Sequence, residues 1–139
     1  MCAHLLVVDD DESIRTTLAV ILQRDGHDVA CAAGGQEALG RMRDHPPDLV
    51  LLDVMMPGMG GWDVLAAMRE SPRLAEIPVV VMTSLHDDAN APPGQPVLHK
   101  PVDDEIVRAV VATLLMQKRG LALALQEAPS DRIPRHAPR

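Results

Sequence analysis

The sequence predicts an α/β fold in which a parallel sheet is covered by helices on both faces. Three observations lead there. Short apolar runs alternate with segments of helical periodicity along most of the chain. The runs are apolar throughout rather than alternating, as strands buried on both faces are. Acids, a threonine and a lysine stand just after the ends of these runs.

Each element has its own signal. HLLVVDDDE, residues 4–12, is an apolar run ending in acids and reads as a strand. Residues 13–26 follow with Ile14, Leu18, Ile21 and Leu22 at helical spacing, Ser13 as the expected cap and Gly26 as the stop. Residues 27–33, HDVACAA, form a second strand. Residues 35–45 form a helix that Pro46 and Pro47 end, and DLVLLD, residues 48–53, is the third strand. A helix over 61–71 carries Trp62, Leu65 and Met68 on one side. IPVVVMTS, residues 77–84, is the fourth strand with Pro78 near its start, and PVLHK, residues 96–100, is a shorter fifth. The helix over 103–120 has the clearest apolar stripe: Ile106, Val107, Val110, Val111, Leu114 and Leu115.

One connection breaks the rhythm. Between the fourth and fifth strands, LHDDANAPPGQ is punctuated by Pro92, Pro93 and Gly94, so the fourth helix is expected to be shortened, distorted or missing. Residues 1–120 are read as the folded domain. Residues 121–139 are read as a helix extension and a flexible Pro- and Arg-rich tail.

Composition narrows the function. The chain has 139 residues, 47% of them hydrophobic, enough for a core. It contains one Trp and no Phe or Tyr, so that core is aliphatic and Met-rich. A net charge of −7 argues against nucleic-acid binding by these residues. No apolar run approaches a membrane span, and the acidic start is unlike a signal peptide; the expected location is cytoplasmic. Cys2 and Cys31 belong to no zinc-type cluster and read as small apolar residues, with a regulatory disulfide as the alternative.

In open α/β sheets ligands bind outside the carboxyl ends of the strands. Asp9 and Asp10 follow the first strand, Asp53 ends the third, Thr83 the fourth and Lys100 the fifth. Taken singly, the acids read as turn residues, Thr83 as a cap and Lys100 as a strand exit. Together they are far more specific. Three carboxylates in one crevice repel, and Mg²⁺ or a lysine would let them stay ionised. Acids, a divalent cation and a lysine match phosphoryl transfer, with Asp53 as the nucleophile and the Thr83 hydroxyl as a donor.

VVDDDE, LLDVMMPGMGGWDVL, VVVMTS and LHKPV, in this order and spacing, resemble the receiver domains of bacterial two-component response regulators. The resemblance covers residues 4–118. It implies a flavodoxin-like (βα)5 doubly wound sheet of strand order 2-1-3-4-5. It also implies that Asp53 is the phosphoacceptor, with Mg²⁺ on Asp10, Asp9, Asp53 and the Met55 backbone carbonyl. Thr83 then matches the switch hydroxyl and Lys100 the phosphate-pairing lysine. The implied donor is a phosphohistidine on a sensor histidine kinase or phosphotransfer protein, docked near Ile14, Arg15, Leu18, Pro101 and Val102. The output partner is left open. Val97 stands where the family usually has an aromatic, so a switch would act by ordering residues 84–95 rather than by ring rotation. Two other classes compete. A receiver-like protein-binding module that is never phosphorylated leaves the acidic site unexplained. A Mg²⁺ phosphohydrolase needs an acid two residues after Asp53, where Met55 stands.

Overall fold

A computed structural model describes residues 3–84 and 91–127. Five strands form one sheet: β1 (His4–Val8), β2 (Asp28–Ala32), β3 (Leu49–Asp53), β4 (Val79–Thr83) and β5 (Val97–His99). Every pairing is parallel, and the order is β2-β1-β3-β4-β5. Four helices are present among the described residues: α1 (Glu12–Arg24), α2 (Gly35–Asp44), α3 (Gly61–Glu70) and α4 (Asp104–Glu127).

Alternation along each strand divides the core. Leu5, Val7, Leu49, Leu51, Val80 and Met82 pack with Leu18 and Leu22 of α1 and Val107, Val111 and Leu115 of α4. Leu6, Val8, Val50, Leu52, Val79 and Val81 face the other way, onto Ala38, Leu39 and Met42 of α2 and Val64, Leu65 and Met68 of α3. β3 and β4 are buried along their whole lengths, which explains their unbroken apolar sequence.

The helix ends refine the expected boundaries. α1 is capped by Asp11, not Ser13: the Asp11 backbone is extended and its carboxylate accepts the Ile14 N–H at 3.2 Å. Gly26, at φ 90°, ends the same helix as expected. Strand β4 starts at Val79 because Pro78 has no N–H to pair; its carbonyl still accepts from Val50 at 3.0 Å. Asp103 caps α4 through the amides of Glu105 and Ile106, and the helix runs past Gly120 to Glu127. The Arg108 guanidinium joins α4 to the end of α1 by a fork onto Asp25, and this pairing holds the Asp25 pKa below the usual carboxylate range.

The expected loss of the fourth helix falls largely on residues 85–90, outside the described residues. Residues 91–96, which complete that connection, carry a turn and no helix. Cys31 is a free, half-buried thiol whose pKa burial pushes up; Cys2 lies outside the described residues. No helix among the described residues is long and apolar enough to cross a membrane.

Leu51 is fully buried, paired with Val7 on one side and Val80 on the other. Leu51→Ala is expected to lower unfolding free energy by about 2–5 kcal/mol in urea titration, with a cost below about 1 kcal/mol marking a core that closes over the cavity.

Candidate functional site

Parallel pairing puts every strand's carboxyl end at one edge. Val8 is in register with Leu52, and Asp53 with Met82, so Asp9 and Asp53 emerge side by side. Thr83 is opposite His99, one residue before Lys100. Asp9 continues the phase of Leu5 and Val7, and Asp53 that of Leu49 and Leu51, so both acids lean toward the α1–α4 side.

The convergence is tight. The Lys100 ammonium lies 3.0 Å from Asp9 Oδ2 and 2.9 Å from Asp53 Oδ1. Asp9, Asp10 and Asp53 each present a carboxylate oxygen within 4.8 Å of the others. Asp9 and Asp53 are buried, while Asp10 is exposed at the rim. Thr83 is fully buried. Its carbonyl accepts the Lys100 N–H at 2.8 Å, which ties the end of β4 to the lysine backbone. Its hydroxyl donates to the Ser84 carbonyl at 3.0 Å. The Met55 N–H reaches back to Asp53 Oδ1 at 3.4 Å, bending the turn that carries the Met55 carbonyl around the acid. The Met55 side chain is 63% exposed.

Two further groups shape the site and were not legible as such in the sequence. Gly61 opens α3, and a Cβ there would press on the Asp53 carbonyl and come within 2.8 Å of Val54 Cα. Its N–H donates to the Val54 carbonyl at 2.9 Å. Only a glycine lets α3 start this close to the acid-bearing strand. Arg15, singled out for a docking surface, reaches inward: its Nη1 donates to the Asp9 carbonyl at 2.7 Å.

The charges do not balance. Among the described residues, three carboxylates face one ammonium. Burial raises the Asp53 pKa; the Lys100 hydrogen bond opposes this and the Asp9 charge reinforces it. Burial also works against the Lys100 charge, but its hydrogen bonds to Asp53 and Asp9 prevail and hold its pKa above the usual lysine range. A surplus of clustered carboxylate oxygens, part buried and part at the rim, fits a hard divalent cation that takes oxygen ligands.

Residues 5–112 match the response regulator receiver domain family. The chain is 39% identical over 111 residues to the transcriptional regulatory protein AfsQ1 of Streptomyces coelicolor, covering 80% of this chain and 47% of that protein. It is 38% identical over 108 residues to the DNA-binding response regulator MtrA of Mycobacterium tuberculosis, covering 78% and 45%. The chain spans about half the length of these curated relatives. Among solved structures, the chemotaxis protein CheY4 of Vibrio cholerae superposes with a TM-score of 0.73 at 28% identity, over 82% of this chain and 99% of that one. Sheet order, clustered acids and sequence likeness agree: this chain belongs to the response regulator receiver domain family of two-component signalling.

Proposed function

We propose that this chain accepts a phosphoryl group on Asp53 from the phosphohistidine of a sensor histidine kinase or phosphotransfer protein. The observation that carries the reading is the meeting of Asp53 with Asp9, Asp10 and Lys100 at one sheet edge. In this reading an Asp53 oxygen attacks phosphorus, the P–N bond to the imidazole breaks as the P–O bond forms, and the departing imidazole keeps the electron pair and takes up a proton. The product is an acyl phosphate on Asp53.

Such a transfer asks mostly for positioning and charge neutralisation. Lys100, already against Asp53, supplies a point charge for the phosphoryl oxygens. Thr83 brings a hydroxyl donor on a backbone fixed to Lys100. Asp10, Asp53, Asp9 and the Met55 carbonyl would be the oxygen donors for Mg²⁺, which would offset the negative charge of the acids and the phosphoryl group. The chain thus promotes its own phosphorylation and dephosphorylation and turns over no separate substrate. A groove of about 250 Å³ beside Lys100, lined by Ile14, Leu18, Pro101 and Val102 among others, suits docking of the donor protein. DNA binding is named for MtrA; a net charge of −7 gives no basis for it in these residues. A cytoplasmic place accords with this donor.

Incubated with a small phosphodonor and Mg²⁺, the chain is expected to gain one phosphoryl mass, and Asp53→Asn to gain none. Repeated turnover of the donor would instead mark a hydrolase, and an unchanged wild-type mass a binding module. Met55, exposed and apolar, and Leu85, which lies outside the described residues, carry no group to orient an attacking water, so the modified form is expected to persist for minutes or longer; decay within seconds would contradict that.

A pH dependence follows from the raised Asp53 pKa. The native state holds this proton more tightly than the unfolded chain does, so the group's contribution to stability falls as pH rises through the carboxylate range. Asp53→Asn removes that loss and leaves Lys100 paired with Asp9. In metal-free buffer at neutral pH the variant is expected to unfold at higher urea than wild type, with the gap closing in acid. Mg²⁺ at about 100 times its Kd is expected to stabilise wild type by about 2.7 kcal/mol. A variant midpoint at or below wild type would show that the Lys100–Asp53 pair outweighs desolvation.

A further inference from the structure

We infer that Arg15, near the start of α1, is a positioning residue of the acidic site; this role rests on the phosphoacceptor reading above. Its guanidinium spans six residues to donate to the Asp9 carbonyl at 2.7 Å. That carbonyl belongs to the peptide unit joining Asp9 to Asp10. The unit is planar, so fixing its oxygen fixes the direction in which the chain leaves one acid and enters the other. Arg15 makes this contact although Asp10, Asp11 and Glu12 stand on the same turn.

The remaining contacts of Asp9 leave this one task to be done. The Asp9 N–H donates to the Ala32 carbonyl at 3.2 Å. Its Oδ1 accepts the Asp11 N–H at 2.9 Å, and its Oδ2 accepts from Lys100 at 3.0 Å. The amide is thereby held by β2 and the carboxylate is shared between the Asp11 amide and Lys100, while the carbonyl is left to Arg15, a charged, planar donor. Arg15 touches none of the reacting atoms. It acts through the peptide that aims Asp10 at the rim and Asp9 at Lys100, and its charge offsets part of the repulsion among the acids.

The test uses Arg15→Gln and Arg15→Lys in the full chain, with three readouts. Mg²⁺ affinity is followed by NMR titration, and loading is timed with a small phosphoramidate, which makes no use of a protein docking surface. Exchange of the Asp10 and Asp11 amides is measured in metal-free protein. Arg15→Gln is expected to weaken Mg²⁺ binding about 10-fold or more, as loss of a partner behind a metal ligand does. It should slow loading by a similar factor and speed amide exchange at the turn, and Arg15→Lys should recover most of each. Unchanged Mg²⁺ affinity and loading in Arg15→Gln would overturn the inference and leave Arg15 as surface. Equal losses in both variants, with a lowered urea midpoint in each, would mark a fold defect and overturn it too. Wild-type protein that neither binds Mg²⁺ nor loads would overturn the phosphoacceptor reading itself, and this role with it.

Discussion

The Lys100 ammonium between Asp9 and Asp53 is the interaction on which the rest of the site depends. Two buried carboxylates at the ends of neighbouring strands repel at close range, and in a poorly solvated crevice that repulsion is strong. One cation shared between them makes their burial tolerable. It does not neutralise them, and Asp10 adds a third negative charge at the rim. The result is a crevice short of positive charge, with carboxylate oxygens grouped as a bound cation would need them. Removing one acid would still leave two carboxylates against one ammonium.

The fold keeps this arrangement from relaxing. Each charged group stands at or just beyond the end of a strand whose residues are almost all apolar and whose neighbours are in fixed register. Sliding β3 by one residue would turn Asp53 to the other face and expose the Leu49 and Leu51 side to the wrong layer. The cost of mispairing the core therefore protects the geometry of the acids. The turn after β3 adds its own restraint, since α3 begins at Gly61 against the Asp53 backbone. Sheet and turn fix Asp53 from below, and the Thr83 carbonyl fixes Lys100 from the side.

Much of this was legible in the residues. Five apolar runs, four of them ending in a chemically distinctive group, were enough to place Asp9, Asp10, Asp53, Thr83 and Lys100 at one edge, because parallel strands share their carboxyl ends. What stayed hidden was three-dimensional in origin. The cap of α1 lay at Asp11 rather than Ser13 because backbone direction after β1, not side-chain type, chose between two capable residues. The inward reach of Arg15 had no sequence signal: at helical spacing it reads as an exposed polar residue, and only the curl of the β1–α1 turn brings the Asp9 carbonyl within its span. The close approach at Gly61 was equally silent, since a second glycine after Gly60 at a helix start reads as part of the turn.

The wiring around the acids also bears on how a change at Asp53 would be felt elsewhere. A phosphoryl group there would add about −1.5 to −2 of charge beside Lys100. Lys100 now divides itself between Asp9 and Asp53, so added charge on one would draw it from the other. Asp9 would lose a partner at the turn that Arg15 holds, and the Lys100 backbone would pull on the Thr83 carbonyl. These two routes lead to α1 and to the β4–β5 connection. Neither passes through an aromatic ring, and Val97, packed on the core face beside Val81, is too short to swing between a buried and an exposed place. A two-state element is still required for a local charge to become a signal. The Lys100 side chain and the turn that Arg15 holds are the parts of the structure that such a charge would meet first.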